Sequence, residues 1–205
     1  MSYYGTLTGK KERLWLPIGL GSAAKFGVGA KAALLDVARR YGLPVPTGII
    51  LVDEAWRRAL ASGLVRRGDD GSVSAPDKSR LVFAIGFPNF DWELPGPFAV
   101  RSAFSAEDGK AQSMAGYFTT RLNVDGRDPE QLADALCAVW QSAEQCAAQL
   151  GELRRDVLIM RMVAARHSGV AFTEHAYADD LVNFTEGLAD KLVGGALGAV
   201  SYTHL

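Results

Sequence analysis

The sequence is poor in the residues that build disulfide frameworks and metal clusters. It contains two cysteines, Cys137 and Cys146, and three histidines among 205 residues. Each helical residue turns the chain by about 100°, so a separation of nine positions places the two thiols on opposite faces of a helix. Their spacing also does not match a metal site. Both cysteines are therefore predicted to be small buried residues in a reducing compartment.

An excess of charge of one sign is also lacking, because 22 Lys and Arg residues balance 23 Asp and Glu residues to give a net charge of −1. No strong field therefore favours nucleic acid or an anionic membrane as a partner. No run approaches the roughly 18–20 apolar residues needed to cross a bilayer, and residues 1–11 lack the apolar segment of a secretory signal. We expect a cytoplasmic protein that contacts neither nucleic acid nor membrane.

A hydrophobic content of 48% is sufficient for a substantial core. Helical spacing of apolar residues predicts helices over 29–41 and 128–150, and one that begins at Asp53 as its N-cap. Residues 63–79 have the composition of a surface loop. Short apolar or alternating runs predict strands over 48–52, 98–101, 117–124, 157–163, 169–173 and 180–184. The last three are close enough along the chain to pair antiparallel, and the whole pattern predicts a mixed α/β fold.

The first candidate for chemistry is the segment 27–31, Gly-Val-Gly-Ala-Lys, at the start of a predicted helix. Small residues allow a phosphate to approach the backbone, and a helix start offers N–H groups with a partial positive charge. Lys31 can then reach the phosphates as a point charge. The spacing is not that of a Walker A loop, and by itself such a segment is more often a flexible turn before a surface lysine.

The second candidate is the segment 98–108, in which an apolar strand leads to Arg101 and then to hydroxyl and carboxylate side chains. Arginine grips phosphate oxygens with two N–H groups and keeps its charge at any working pH. The small residues within 113–120 are suited to form a lid over a polyphosphate. The alternative is an exposed arginine that pairs with a surface glutamate, which would contribute little.

The third candidate joins the apolar strand predicted over 157–163 to a second strand over 169–173, with His167 in the turn between them. A general-base role for His167 requires a partner group, and the sequence offers none that can be identified. A histidine in a turn is more often solvated or a capping residue. We therefore favour a structural role for this residue.

Taken in order, these segments resemble the N-terminal nucleotide-binding domain of the pyruvate phosphate dikinase, phosphoenolpyruvate synthase and rifampicin phosphotransferase family. Residues 42–46 repeat the family's Gly-Leu-Pro-Val-Pro, and residues 168–173 repeat its Ser-Gly-Val-Ala-Phe-Thr. The other matching segments are 29–32, 100–103, 107–108, 113–116, 160–163 and 187–195. Several motifs in the right order, over about residues 20–195, are a far more specific signal than any one of them.

The resemblance implies an ATP-grasp-like fold of two lobes that hold nucleotide between them, incomplete at the C-terminus in this chain. The helix-rich lobe is expected at residues 1–110 and the strand-rich lobe at residues 111–200. Residues 201–205 do not have the composition of a natural terminus. We expect them to mark a truncation or a non-native tail, and they are set aside from the fold prediction.

The resemblance also implies an ATP site that uses five residues of this chain. Lys31 and Arg101 are expected to hold the phosphates, with Arg101 as the catalytic residue, because phosphoryl transfer depends on positioning and charge neutralisation. Gly116 and Thr120 are expected to contact the phosphate tail or line its lid. Met160 stands where the family has a nucleotide-contacting glutamine. A thioether donates no hydrogen bond, so adenine recognition there is weakened or shifted to backbone groups.

The implied activity is that of an ATP-dependent phosphotransferase. In the family, ATP and magnesium phosphorylate a histidine on a separate swivelling domain, which carries the group to pyruvate or, in the resistance enzymes, to an antibiotic. The magnesium ligands and the phosphohistidine domain are expected outside this chain, so the chain alone is expected to be inactive. The methionine at position 160 also supports a second interpretation, a non-catalytic nucleotide-binding or regulatory module of the same fold.

Overall fold

The computed structural model describes residues 14–86, 97–105, 118–151, 153–172, 181–188 and 200–203. The chain divides into two compact units, residues 1–162 and residues 163–205. The first contains a five-stranded sheet and all the helices, and the second contains a three-stranded sheet. None of the helices in the described ranges is both long and apolar enough to cross a membrane.

The first unit alternates short strands and helices along most of its length. Its elements are β1 (Trp15–Pro17), a 3-10 helix (Ala23–Phe26), α1 (Ala30–Arg40), β2 (Gly48–Leu51), α2 (Asp53–Ala61), β3 (Arg66–Arg67), β4 (Val73–Ser74), α3 (Lys78–Ala84), β5 (Phe98–Ser102), β6 (Thr120–Val124), α4 (Pro129–Leu150) and β7 (Val157–Arg161). The sheet order is β1-β2-β7-β5-β6, with every neighbouring pair antiparallel. Strands β3 and β4 form a separate hairpin.

Apolar side chains cover both faces of the five-stranded sheet. On one face, Val157 and Ile159 of β7 belong to a cluster with side chains of α2, α3 and α4. On the other face, Leu158 and Met160 of the same strand belong to a cluster with Ala32 of α1. Successive residues of a strand point to opposite faces, so β7 contributes to both clusters. The second cluster also contains Ala23 of the 3-10 helix.

The second unit is a meander of three antiparallel strands, β8 (His167–Phe172), β9 (Leu181–Glu186) and β10 (Val200–Thr203), in the order β10-β9-β8. The Ser168 hydroxyl donates to the carbonyl oxygen of Gly187 at 2.7 Å, and the Gly187 N–H donates to the carbonyl of Arg166 at 2.9 Å. The first of these bonds joins two of the sequence segments that carry the family resemblance.

The helices predicted over 29–41 and 128–150 are present as α1 and α4. Asp128 caps α4, because its carboxylate accepts the backbone N–H of Glu130 at 2.9 Å. Asp53 is not the expected cap of α2. It is the first residue of that helix, and its carboxylate instead accepts the backbone N–H of Arg155 at 2.8 Å. A tertiary contact has therefore taken the place of a local one.

The buried face of α1 is not the one that the spacing of its apolar residues predicts. Leu34 and Tyr41 are 67% and 81% exposed, whereas Asp36 is fully buried.

Of the two cysteines, Cys137 is buried and Cys146 is half-buried, and both are free thiols. Burial raises the pKa of the Cys137 thiol to about 11, which keeps it protonated at neutral pH.

Strand pairing departs from the sequence prediction in three places. Strand β7 does not join β8 and β9; it lies between β2 and β5, since pairing with distant segments is not encoded in local spacing. Residues 63–79 contain the hairpin β3–β4. Residues 200–203 form β10, a strand that the sequence does not predict.

A buried carboxylate ties α1 to the turn that precedes it. The side chain of Asp36 accepts backbone N–H groups from Gly19 at 2.7 Å, Gly21 at 3.1 Å and Ala23 at 2.9 Å. Gly19 and Gly21 have φ values of +110° and +66°, which favour glycine. Burial raises the pKa of Asp36, but the backbone donors outweigh it and hold that pKa below its usual value.

Replacing Asp36 with asparagine removes the charge and places an amide N–H₂ among backbone donors. We expect the free energy of unfolding at neutral pH to fall by about 2–3 kcal/mol, the range for lost hydrogen bonds to a charged group. The pKa is lower in the folded chain, so the stabilisation is present above the unfolded value of about 3.9 and is lost as pH falls through the folded value. Urea titration is therefore expected to show the difference in unfolding free energy shrinking as pH falls from about 5 through the lowered folded-state pKa.

The matched control is Asp69→Asn, which changes an exposed carboxylate in the hairpin region. Its unfolding free energy is expected to stay within about 0.5 kcal/mol of the wild-type value, as is usual for surface substitutions. If Asp36→Asn were as stable as the control at neutral pH, the proposed anchoring of the turn by Asp36 would be wrong.

Candidate nucleotide site

Strand register places three of the predicted site residues on one face of the sheet. Arg101 on β5 lies opposite Leu158 on β7 and opposite Thr120 on β6. Met160 lies two residues from Leu158 along β7. Directly opposed residues of antiparallel strands point to the same face, as do alternate residues of one strand. Leu158 and Met160 pack with Ala32, so Arg101, Thr120 and Met160 share the face on which α1 lies.

Lys31 reaches the same end of β5 from the helix. It is the second residue of α1, and its Nζ donates to the backbone carbonyl of Ser102 at 3.4 Å. Ser102 directly follows Arg101, so the packing of α1 on the sheet brings the ammonium group of Lys31 beside the strand that carries the guanidinium. The structure therefore brings the two predicted phosphate ligands to one end of one strand.

The environments of these side chains differ in ways that matter for binding. Arg101 and Thr120 are exposed and Lys31 is half-buried, whereas Met160 is only 7% exposed. No carboxylate in the described ranges forms an ion pair with Arg101. An exposed arginine and hydroxyl beside a partly desolvated lysine form a locally basic, hydrogen-bonding surface that suits phosphate oxygens.

At the start of α1, one backbone N–H that the sequence offered for phosphate binding donates to a side chain of the protein. The backbone N–H of Gly29 donates to Asp156 Oδ2 at 3.3 Å, so a carboxylate of the chain already occupies this N–H. A Cβ at position 29 would lie 2.3 Å from the carbonyl oxygen of Ala103. Glycine is required at position 29 because two backbone segments pack closely there.

Asp156 is a residue of this region that the sequence analysis missed. It is fully buried, and its carboxylate also accepts the backbone N–H of Asp53 at 2.8 Å and the guanidinium of Arg154 at 2.9 and 3.1 Å. Burial raises its pKa, while the hydrogen bonds and charge of Arg154 oppose that rise. The sequence feature that could have identified Asp156 is its position as an acidic residue at the start of an apolar strand, directly after two arginines.

Two further predictions concern Gly116 and magnesium. Gly116 lies outside the residues that the structure describes. Within the described part of the chain, no three His, Cys, Asp or Glu side chains are grouped so as to hold a metal ion. Lys31, Arg101 and Thr120 carry groups of the kind that bind phosphate oxygens.

Similar proteins are much longer than this chain. It is 27% identical over 192 residues to the prodigiosin synthesizing transferase PigC of Serratia marcescens, covering 85% of this chain and 22% of that protein. It is 25% identical over 210 residues to a phosphoenolpyruvate synthase of Aeropyrum pernix, covering 82% and 25%. A rifampicin phosphotransferase of a Streptomyces species is 29% identical over 205 residues, covering 82% and 24%. The chain spans a quarter or less of the length of these relatives.

A family described as "Pyruvate phosphate dikinase, AMP/ATP-binding domain" matches residues 89–203. The matched range begins before β5, ends with β10 and includes Arg101, Thr120 and Met160, while Lys31 precedes it. Mixed helices and strands around an antiparallel sheet agree with the ATP-grasp-like fold of that family. Since the match covers more than half of its residues, the chain belongs to the pyruvate phosphate dikinase AMP/ATP-binding domain family.

Proposed function

We propose that this chain is the ATP-binding part of a phosphotransferase that uses ATP to phosphorylate a histidine on a separate swivelling domain, for transfer to pyruvate or a related acceptor. The observation that carries the proposal is the placement of Lys31 and Arg101 at one end of β5, with Thr120 beside Arg101 on the same face. The magnesium that accompanies ATP in such reactions would be held by groups outside the described residues.

The three side chains have complementary tasks in this proposal. Lys31 is half-buried and held near the Ser102 carbonyl, so it supplies a fixed positive charge close to the sheet. Arg101 is exposed and free to turn its two-pronged guanidinium toward phosphate oxygens. Thr120 adds a hydroxyl donor. Phosphoryl transfer needs such positioning and neutralisation of charge on the transferred group more than covalent help from the protein.

Met160 shapes the part of the site where the base would lie. Its side chain packs against Gly48, where an added Cβ would lie 3.0 Å from Met160 Cγ. The thioether therefore fills space without offering a hydrogen-bond donor. We propose that adenine is recognised by backbone groups and apolar contact rather than by a side-chain amide.

The same methionine supports a second candidate function, a nucleotide-binding or regulatory module that does not catalyse transfer. The two candidate functions can be distinguished by experiment in the longer protein that we propose contains this chain. Calorimetric titration with ATP and magnesium measures binding, and phosphate release or phosphohistidine formation measures turnover. Binding accompanied by turnover identifies the phosphotransferase, whereas tight binding without turnover identifies the module.

The first test of the ATP site is Arg101→Ala in this chain. Loss of a charge-assisted contact to phosphate is expected to weaken ATP binding about 10- to 100-fold, as measured by titration calorimetry. The thermal midpoint is expected to change little because the side chain is exposed.

Arg121→Ala is the matched control. Arg121 is also exposed and lies on β6, but it is opposite Val100, whose side chain faces the other cluster. Its ATP affinity is expected to stay within about twofold of wild type, since the side chain of Arg121 points to the opposite face of the sheet. Equal ATP affinities for wild type, Arg101→Ala and Arg121→Ala would remove Arg101 from the site.

The second test restores the family's amide with Met160→Gln. A side-chain amide at this position offers donors and an acceptor to a base, so ATP affinity is expected to rise about three- to tenfold, the value of roughly one hydrogen bond. Met160→Leu, which keeps the volume without polar atoms, is expected to leave affinity unchanged. An affinity that falls or stays constant in Met160→Gln, with the fold intact by circular dichroism, would contradict a base near residue 160.

A further inference from the structure

Asp156 joins the two segments between which Lys31 is held. Its carboxylate accepts the N–H of Gly29, which directly precedes α1, and its backbone carbonyl accepts the N–H of Ala103 at 3.0 Å. Lys31 lies two residues after Gly29, and its Nζ contacts Ser102, the residue before Ala103. One residue therefore fixes the backbone at both ends of the contact between Lys31 and β5.

Arg154 binds the carboxylate of Asp156 with its side chain and binds Ser105 with its backbone. Its guanidinium binds both oxygens of Asp156, as Nε to Oδ2 at 3.1 Å and Nη2 to Oδ1 at 2.9 Å. Its backbone N–H donates to Ser105 Oγ at 3.1 Å, and its carbonyl accepts the Ser105 N–H at 3.4 Å. Residues 154–156 thus run beside residues 103–105, just past the end of β5.

A buried ion pair is a weak source of stability, because the cost of removing two charges from water offsets much of their attraction. Asp156 is fully buried and the side chain of Arg154 is only 33% exposed. Two backbone N–H groups, from Gly29 and Asp53, share the same carboxylate. Hydrogen bonds to fixed backbone donors impose a geometry that apolar packing of equal volume would not impose.

We propose that Asp156, oriented by Arg154, is a positioning residue that sets the ammonium group of Lys31 for contact with the phosphates of ATP. The inference rests on the proposed ATP site. Both oxygens of Asp156 accept hydrogen bonds from Arg154, which orients the carboxylate. Asp156 acts through Lys31 and does not itself touch the nucleotide.

The test is a double-mutant cycle on ATP affinity, measured by calorimetry with magnesium present and at a temperature where every variant is folded by circular dichroism. Asp156→Asn keeps the shape of the side chain but loses its charge, and it is expected to weaken ATP binding about tenfold, within the range of couplings between contacting groups. In a Lys31→Ala background the same change is expected to have less than about a twofold effect, because the group that it positions is absent.

The matched control is Glu144→Gln, which breaks another buried ion pair of the same unit. Glu144 is bound by Arg155 at 2.6 Å and Arg67 at 3.0 Å, and none of these three residues belongs to α1. This variant is expected to lose thermal stability while it keeps wild-type ATP affinity. If Glu144→Gln lost as much ATP affinity as Asp156→Asn, the loss in Asp156→Asn would be explained by general destabilisation. That result would overturn the inference.

Arg154→Ala provides a second route, since it leaves the carboxylate and its backbone bonds in place. It is expected to weaken ATP binding in the wild-type background and not in the Lys31→Ala background, and Arg154→Lys is expected to restore part of the loss. Additive effects of Lys31→Ala and Asp156→Asn, or unchanged affinity in Asp156→Asn, would overturn the positioning role. If Lys31→Ala and Arg101→Ala themselves leave ATP affinity unchanged, the proposed ATP site fails instead.

Discussion

The antiparallel pairing of β5 with β7 determines on which face of the sheet Arg101 lies. Arg101 is opposite Leu158, whose side chain packs on the α1 side of the sheet. A shift of one residue in this register would exchange the faces of the whole strand and turn Arg101 toward the cluster of α2, α3 and α4. The buried neighbours of Arg101, Val100 and Ser102, hold the register because their side chains belong to that opposite face.

The second constraint is the position of α1 on the sheet. Two buried carboxylates bind the backbone near this helix, one from within α1 and one from the chain before β7. Asp36 holds the preceding turn through three backbone N–H groups, and Asp156 holds the N–H of Gly29. The close approach of Gly29 to Ala103 leaves no room for a larger residue. Helix packing, backbone contact and charge therefore act together to bring Lys31 to the end of β5.

Local features of the structure were predictable from the sequence, whereas long-range contacts were not. The periodicity of α1 and α4 and the cap at Asp128 are set by neighbouring residues, so a single sequence reveals them. The exposed face of α1, with Leu34, and the link from Asp53 to Arg155 depend on residues far along the chain. The role of Asp156 is of the same kind, since its partners Gly29 and Asp53 are more than one hundred residues away.

The central claim is that Lys31 and Arg101 bind one polyphosphate, and the preference of the chain for ATP over AMP tests it most directly. Both side chains would contact phosphates that AMP lacks, so their loss should affect ATP far more than AMP. Calorimetry on the Lys31→Ala, Arg101→Ala double variant is predicted to give equal affinities for ATP and AMP, whereas the wild-type chain is predicted to bind ATP more tightly than AMP. A double variant that is folded and keeps the wild-type preference would contradict the claim.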